Sequence, residues 1–166
     1  MIGTSLDAIL LALEVHVKTW CEANRGKVSI ASDPFNVLEI LELSPSGVRV
    51  VLFWGGDAPA GDQTEGGVST NELHAVITHN RGLAKWQGRN VVETSGKREP
   101  LFKLLSSLKA HIKRFVMTGE HVADKIAYAG SKPYATPGGL PLDAYDMTFL
   151  LDAADAAEES SEESGS

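Results

Sequence analysis

The sequence predicts an α+β fold: a small mixed, mainly antiparallel sheet packed by two long helices. Apolar residues recur at helical spacing in two separate stretches, Leu6 to Trp20 and Leu101 to Val116. Runs of alternating apolar and polar residues lie between and after them. The last such run, Leu142 to Asp152, is entered through Pro137-Gly138-Gly139-Leu140-Pro141 and is followed only by acids, alanines, serines and a glycine. The fold is therefore expected to close on a strand.

A chain of 166 residues suits one domain with a real core and is short for two. The expected division is a single domain over residues 1–152 and a disordered acidic tail over 153–166. The formal charge is −7, but residues 152–166 hold six acids and no base, which leaves 16 acids against 15 bases elsewhere. A nearly neutral folded part gives no case for broad electrostatic attraction to nucleic acid or to an anionic membrane. Cys21 is the single cysteine, so it forms no internal disulfide and reads as a reduced thiol in or near the core. Met1 to Asp7 lacks a basic leader and no apolar run reaches membrane-spanning length, so a soluble cytoplasmic protein is the expectation.

Thr4 stands three positions before Asp7, close to a capping box, and Leu6, Ile9, Leu10, Leu13, Val17 and Trp20 form an apolar stripe. A helix is expected over Ser5 to Ala23, stopped by Asn24-Arg25-Gly26 with the glycine just past the last turn. Val28 to Ile30 reads as a short strand. Phe35 to Leu43 reads as a β-rich run after the Asp33-Pro34 turn, and Pro45-Ser46-Gly47 reverses the chain into a return strand, Val48 to Trp54. Both faces of that return strand are largely apolar, which places the hairpin centrally in its sheet.

Gly55 to Thr70 has no periodic apolar residues and reads as a long loop joining two strands. It is either an exposed flap or a contact that becomes ordered on assembly, and Gly55, Gly56, Asp57, Asp62, Glu65, Gly66 and Gly67 are its candidate assembly residues. Glu72 to His79 is the third strand, with Leu73, Ala75 and Ile77 on one side and His74, Val76 and Thr78 on the other. Residues 83–98 carry no clear period. Pro100 opens the second long helix, ending by Gly119, whose apolar stripe is Leu101, Leu104, Leu105, Leu108, Ile112, Phe115 and Val116. Lys103, Lys109, Lys113 and Arg114, interleaved with Ser106, Ser107 and His111, form its other face, read as solvated or as a patch for an acidic partner. Lys125 to Ala129 and Lys132 to Ala135 read as short strands. In the final strand Tyr145, Met147, Phe149 and Leu151 share one side and Ala144, Asp146 and Thr148 the other, the pattern of a half-buried strand.

Catalytic signatures are wanting. Gly61 to Val68 has two glycines at phosphate-loop spacing, but Gly67-Val68 stands where lysine and a hydroxyl are required. His74 and His79 are five apart on a strand and its exit, hence on opposite faces, and cannot chelate one metal together. His16, His111 and His121 have no ligand-type neighbour at recognisable spacing and read as satisfied or solvent-facing. No nucleophile elbow, Cys/His signature or motif-borne carboxylate pair is present. The expectation is no catalytic residues, no cofactor and no metal. The acidic tail reads as solubilising, with partner binding or nucleic-acid mimicry as the sharper alternative.

The order helix, strand hairpin, long loop, strand, long helix and a last strand Leu-Asp-Ala-Tyr-Asp-Met-Thr-Phe (Leu142 to Phe149) resembles the tail terminator proteins of long-tailed bacteriophages. The resemblance spans residues 1–152 and rests on element order, size and the style of the final strand. It implies a structural, non-enzymatic subunit that forms a homo-oligomeric ring, commonly of six copies, on the end of the tail tube. Such a ring stops polymerisation and presents a surface to head-completion or neck proteins, with DNA able to pass through its centre. The implied location is the head-proximal end of the virion tail, and the host cytoplasm during assembly. No membrane and no sequence-specific nucleic-acid partner is implied. Two other classes stay open: a different head–tail joining or neck protein, and a small α+β enzyme or regulatory binding domain.

Overall fold

The computed structural model describes residues 6–43, 47–60, 68–80, 100–116, 126–136 and 142–154. Helix α1 (Leu6–Ala23) ends as expected, but the left-handed position that turns the chain is Arg25 (φ 55°). Gly26 is instead the first residue of strand β1 (Gly26–Ile30), where a side chain would crowd the Val48 carbonyl at 3.1 Å.

Residues Pro34–Leu43 form helix α2, which corrects the β reading of this stretch. The reason is local. Asp33 precedes a proline at the first helical position, and its Oδ1 accepts from the Asn36 amide at 2.9 Å. The Asn36 side chain reaches back to the Ser32 amide at 2.9 Å, so the turn closes on itself like a capping box. Val37 and Ile40 then fall on one helical face. Strand β2 (Val48–Ala60) consequently does not form a hairpin with this segment. It pairs in parallel with β1, Gly26 opposite Val48 through Ile30 opposite Leu52, and α2 is the crossover between them.

Strand β3 (Val68–Asn80) runs antiparallel to β2, and strand β5 (Leu142–Ala154) runs antiparallel to β3 along its whole length. Strand β4 (Ala127–Pro133) closes the sheet as one strand where two short ones were expected. The order is β1-β2-β3-β5-β4. The fold is thus a mixed, mainly antiparallel five-stranded sheet with α1 and the helix α3 (Leu101–Lys113) on one face.

That face holds the main core. Val50 and Leu52 of β2, Leu73, Ala75 and Ile77 of β3, and Met147, Phe149 and Leu151 of β5 meet Ile9, Leu13 and Val17 of α1 and Leu101, Leu104, Leu108 and Ile112 of α3. Each large side chain buried there contributes about 1.5–3 kcal/mol by leaving water. Leu105 is partly buried against the core and Phe115 is buried, whereas Val116, expected on the apolar stripe, is 66% exposed because the helix has ended. The α3 face read as solvated is used in part: Trp20 Nε1 donates to Ser107 Oγ at 2.9 Å, and Lys109 lies over the Tyr128 ring.

On the opposite face α2 covers a smaller cluster of Ala31, Val37, Val51, Phe53, Val76 and Ala144. Ala144 and Asp146 are buried there, so the first part of β5 is buried on both sides, while Thr148, Leu150 and Asp152 along the same face are partly or fully exposed, as a half-buried strand requires. Residues 83–98, His121 and the acidic tail beyond residue 154 lie outside the described residues.

Candidate functional site

The sheet brings together a histidine and two carboxylates that no local spacing signals. His74 sits mid-strand on the α2 side of β3, with Phe53 of β2 opposite it on one flank and Thr148 of β5 on the other. Glu72 shares its face two residues back, and Asp146 lies diagonally across on β5, within reach of long side chains. Nδ1–H of His74 donates to Asp146 Oδ1 at 2.8 Å and Oδ2 at 3.0 Å, and Nε2–H donates to Glu72 Oε1 at 2.6 Å. A neutral ring would aim a lone pair at one of those carboxylates, so the arrangement calls for imidazolium. Burial opposes that charge, but the hydrogen bond and charge of Asp146, followed by those of Glu72, outweigh it and raise the His74 pKa above its ordinary 6.5. The Phe53 ring stacks on the imidazole, centroids 4.6 Å apart and planes 5° apart.

Space for this comes from a β-bulge. The pairing of β2 with β3 shifts between Trp54 and Gly56, leaving Gly55 as the extra residue. Gly56 takes φ 113°, which a glycine accepts without strain. A Cβ on Gly55 would stand 2.5 Å from His74 Nε2.

Above the cluster lies a hollow of about 390 Å³, walled by Pro34, Phe53, Pro133 and Tyr134, with Lys132 among its lining and His74 and Asp146 at its base. Tyr134 is held in place by its hydroxyl, which donates to the Pro34 carbonyl at 3.1 Å, and by its backbone N–H, which donates to the Ala144 carbonyl at 2.9 Å. Burial, and then the charge of Asp146, raises the Tyr134 pKa above 10.0.

Chemically, the cluster holds a charge in place and is not a general base, since both ring nitrogens are committed to donating. Nor is it a chelate, because its two carboxylates bind opposite edges of the ring. Among the described residues no group of three or more His, Cys, Asp or Glu is placed to hold a metal ion, and no helix is long and apolar enough to cross a membrane.

The other singled-out residues are dispersed. His79 is buried on the helix side of β3, opposite in face to His74 as the alternation predicted. His16 and His111 clamp α1 to α3: Nε2–H of each ring donates to the other residue's carbonyl at 2.6 Å, and the rings stack at 4.0 Å. Cys21 is buried, and burial with the nearby Glu22 charge pushes its thiol up to about 12, which keeps it protonated and unreactive at neutral pH.

Of the candidate assembly loop, Gly55, Gly56 and Asp57 belong to strand β2, paired with β3 as far as Ala60 opposite Val68. This corrects the loop reading of residues 55–60 and 68–70: backbone pairing needs no apolar period, and Thr70 Oγ1 donating to Asp152 Oδ1 at 2.6 Å helps fix the outer register. Asp62, Glu65, Gly66 and Gly67 lie outside the described residues.

No protein-family model matches the chain, and no curated protein sequence matches it. Among solved structures the chain is similar to one from the virion of a native gene transfer agent (GTA) particle, at 9% identity over 86% of this chain and 84% of that one, with a TM-score of 0.45.

Proposed function

We propose that this chain is a structural subunit of a phage-type virion, and specifically that it caps a tail tube as a ring, in the manner of tail terminator proteins. The observation that carries this reading is the shape of the sheet. Strands β2, β3 and β5 are 13 residues each, about 43 Å of extended chain. Their neighbours are much shorter: β1 pairs with β2 only from Val48 to Leu52, and β4 with β5 only from Tyr145 to Leu150. Past those limits, among the described residues, the three strands continue as a tongue with an open edge on each side, β2 from Phe53 to Ala60 and β5 from Leu151 to Ala154.

Open strand edges pair with other strands unless something prevents it. Here the two edges face opposite ways and differ in sequence, so joining the β2 edge of one copy to the β5 edge of the next is a head-to-tail contact. Such a contact generates a closed ring when the rotation per step divides a full turn. β2 and β5 are both antiparallel to β3, so they run in the same direction, and the junction would be a parallel pair. The Gly55 bulge and Pro59, which lacks an amide, interrupt the β2 edge and limit indiscriminate pairing. A ring of this kind, commonly six copies in the family, would occupy the last ring of tail-tube protein with one rim and offer the other to neck proteins.

Electron microscopy and light scattering of the chain alone and with tail-tube protein test the reading, since such subunits can remain monomeric until they meet a tube. Rings, or caps at tube ends, are expected. A chain that stays monomeric and never joins tube ends would favour the second reading, a small binding domain, which the hollow beside His74 supports.

A further inference from the structure

We propose that the hollow beside His74 and Asp146 receives an arginine side chain from a partner protein. The walls supply the first part of the case. Tyr134 presents aromatic surface and Pro34 and Pro133 present flat apolar surface, with Phe53, stacked on His74, lining the space behind them, in a volume of about 390 Å³. A guanidinium is planar, weakly hydrated for a cation, and suited to lie against such surfaces. Neutral apolar groups would match the walls but would leave unused the acceptor capacity that Asp146 keeps beyond its bond to His74.

Charge supplies the second part. Every described titratable or charged side chain that faces His74 can be named. Glu72 comes from its own strand, Asp146 from β5, and Lys132 with Tyr134 from β4 and the residue after it. β2 contributes Phe53 and Gly55, and α2 contributes Pro34, none of which titrates. Glu72 and Asp146 together carry one negative charge more than the imidazolium neutralises. Asp146 is 3% exposed, and a carboxylate with about four lone-pair directions has acceptor capacity beyond the single N–H of His74. Its field reaches the wall, where it disfavours ionisation of Tyr134. Lys132 is exposed on β4, opposite Asp146 in the sheet, and is the base that an incoming guanidinium has to compete with.

A consequence distinguishes this site from a generic groove. A guanidinium at Asp146 repels the imidazolium, so arginine entry and His74 protonation oppose each other. Binding should tighten as pH rises through the folded His74 value, and saturation should lower the pH at which His74 titrates.

The test is an NMR titration of the full chain with N-acetyl-arginine methylamide and with its uncharged citrulline analogue. Saturable changes at Phe53, His74 and Tyr134 are expected with the arginine probe alone, tighter above the His74 midpoint measured in the same protein than below it, together with a lowering of that midpoint. Asp146→Asn removes the counter-charge but also half of a buried pair, so Lys132→Ala, at an exposed position, is the variant that keeps the test independent of folding. It should tighten arginine binding about 2- to 5-fold, the worth of a partly screened charge. Equal response to citrulline, no saturable change at His74 and Tyr134, an unmoved His74 midpoint, or weaker binding by Lys132→Ala would each overturn the proposal.

Discussion

Gly55 and His74 fit together only because Gly55 has no side chain: a Cβ there would come within 2.5 Å of Nε2 and 2.7 Å of Cδ2 of the imidazole. The ring has little freedom to give way, since Phe53 stacks on it and both its nitrogens are bonded to carboxylates. Gly55→Ala is therefore expected to push the ring off Glu72 and to destabilise the fold by about 1–3 kcal/mol, the usual cost of overpacking. Thermal unfolding measures the loss, and NMR should show the His74 pKa falling back toward 6.5. An unchanged His74 titration in that variant would mean that the bulge and the ion pair are independent.

The Glu72–His74–Asp146 group makes stability depend on pH with a definite sign. The folded pKa of His74 is raised above its ordinary 6.5, so its contribution is fully present below pH 6.5 and is lost as pH rises through the higher folded value. Replacing Glu72 by Gln removes one source of the shift. In denaturant titrations across that window, wild type and Glu72→Gln should differ most at about pH 6, and the gap should narrow as pH rises through the folded His74 value. A gap that widens with pH would reverse the assignment of charge to the ring.

Much of the fold could be read from periodicity, and the exceptions share a cause. Both long helices and the faces of β3 and β5 followed from spacing alone, because one side of each meets a single large core. The segment Phe35 to Leu43 is a helix where its pattern suggests a strand, because Val37, Leu38, Ile40 and Leu41 suit a buried strand as well as a short helix. The arbitrating signal is Asp33-Pro34 with Asn36 two positions on, which has the form of a simple turn as well as of a helix cap. The stretch 55–60 is a strand where its composition suggests a loop, because a bulged edge is held by backbone bonds that leave no apolar pattern. The charged cluster was illegible for a different reason. His74 and Asp146 are 72 residues apart in the chain, and only the β3–β5 register places them side by side.

His16 supplies the opposite pH sign. Burial is the main cause that lowers its pKa below 6.5, only partly offset by its bond to the His111 carbonyl and reinforced by the charges of His111 and Arg114. A depressed value means that stability is present above pH 6.5 and is lost as pH falls toward the folded pKa. NMR should find the His16 midpoint below 6.5 while that of His74 lies above it, so that these two groups together favour the fold most near pH 6.5. Both midpoints on the same side would contradict the opposed environments.

Phe149 tests the main core. It is 1% exposed, lies on β5 against Tyr128, and belongs to the cluster formed with α1 and α3. Phe149→Ala should cost about 3–5 kcal/mol by equilibrium unfolding, from lost burial plus the cavity left behind. Val116→Ala, at a position 66% exposed, should change stability by less than about 0.5 kcal/mol and serves as the contrast. A mild effect of the first substitution would mean that the helices do not pack on this side of β5.

Joining of neighbouring copies through the β2 and β5 strand edges would leave a pattern of amide exchange that a loop over residues 55–70 would not. In the free subunit, every amide of β2 that points away from β3 between Phe53 and Ala60 faces an open edge, as do their counterparts on β5 from Leu151 to Ala154. Amides that point toward β3 are bonded and should exchange slowly, so protection along each outer strand should alternate from residue to residue. A loop would exchange fast throughout. If neighbouring copies join the β2 edge to the β5 edge, the fast half of each set should become protected together on assembly with tail-tube protein, whereas the inner residues Val48 to Leu52, already bonded to β1, should not change. Protection gained on only one of the two edges would point to a tube or neck protein as the strand partner there. Alternating exchange that persists unchanged in assembled rings would remove strand pairing from the mechanism and leave the helices as the contact surface.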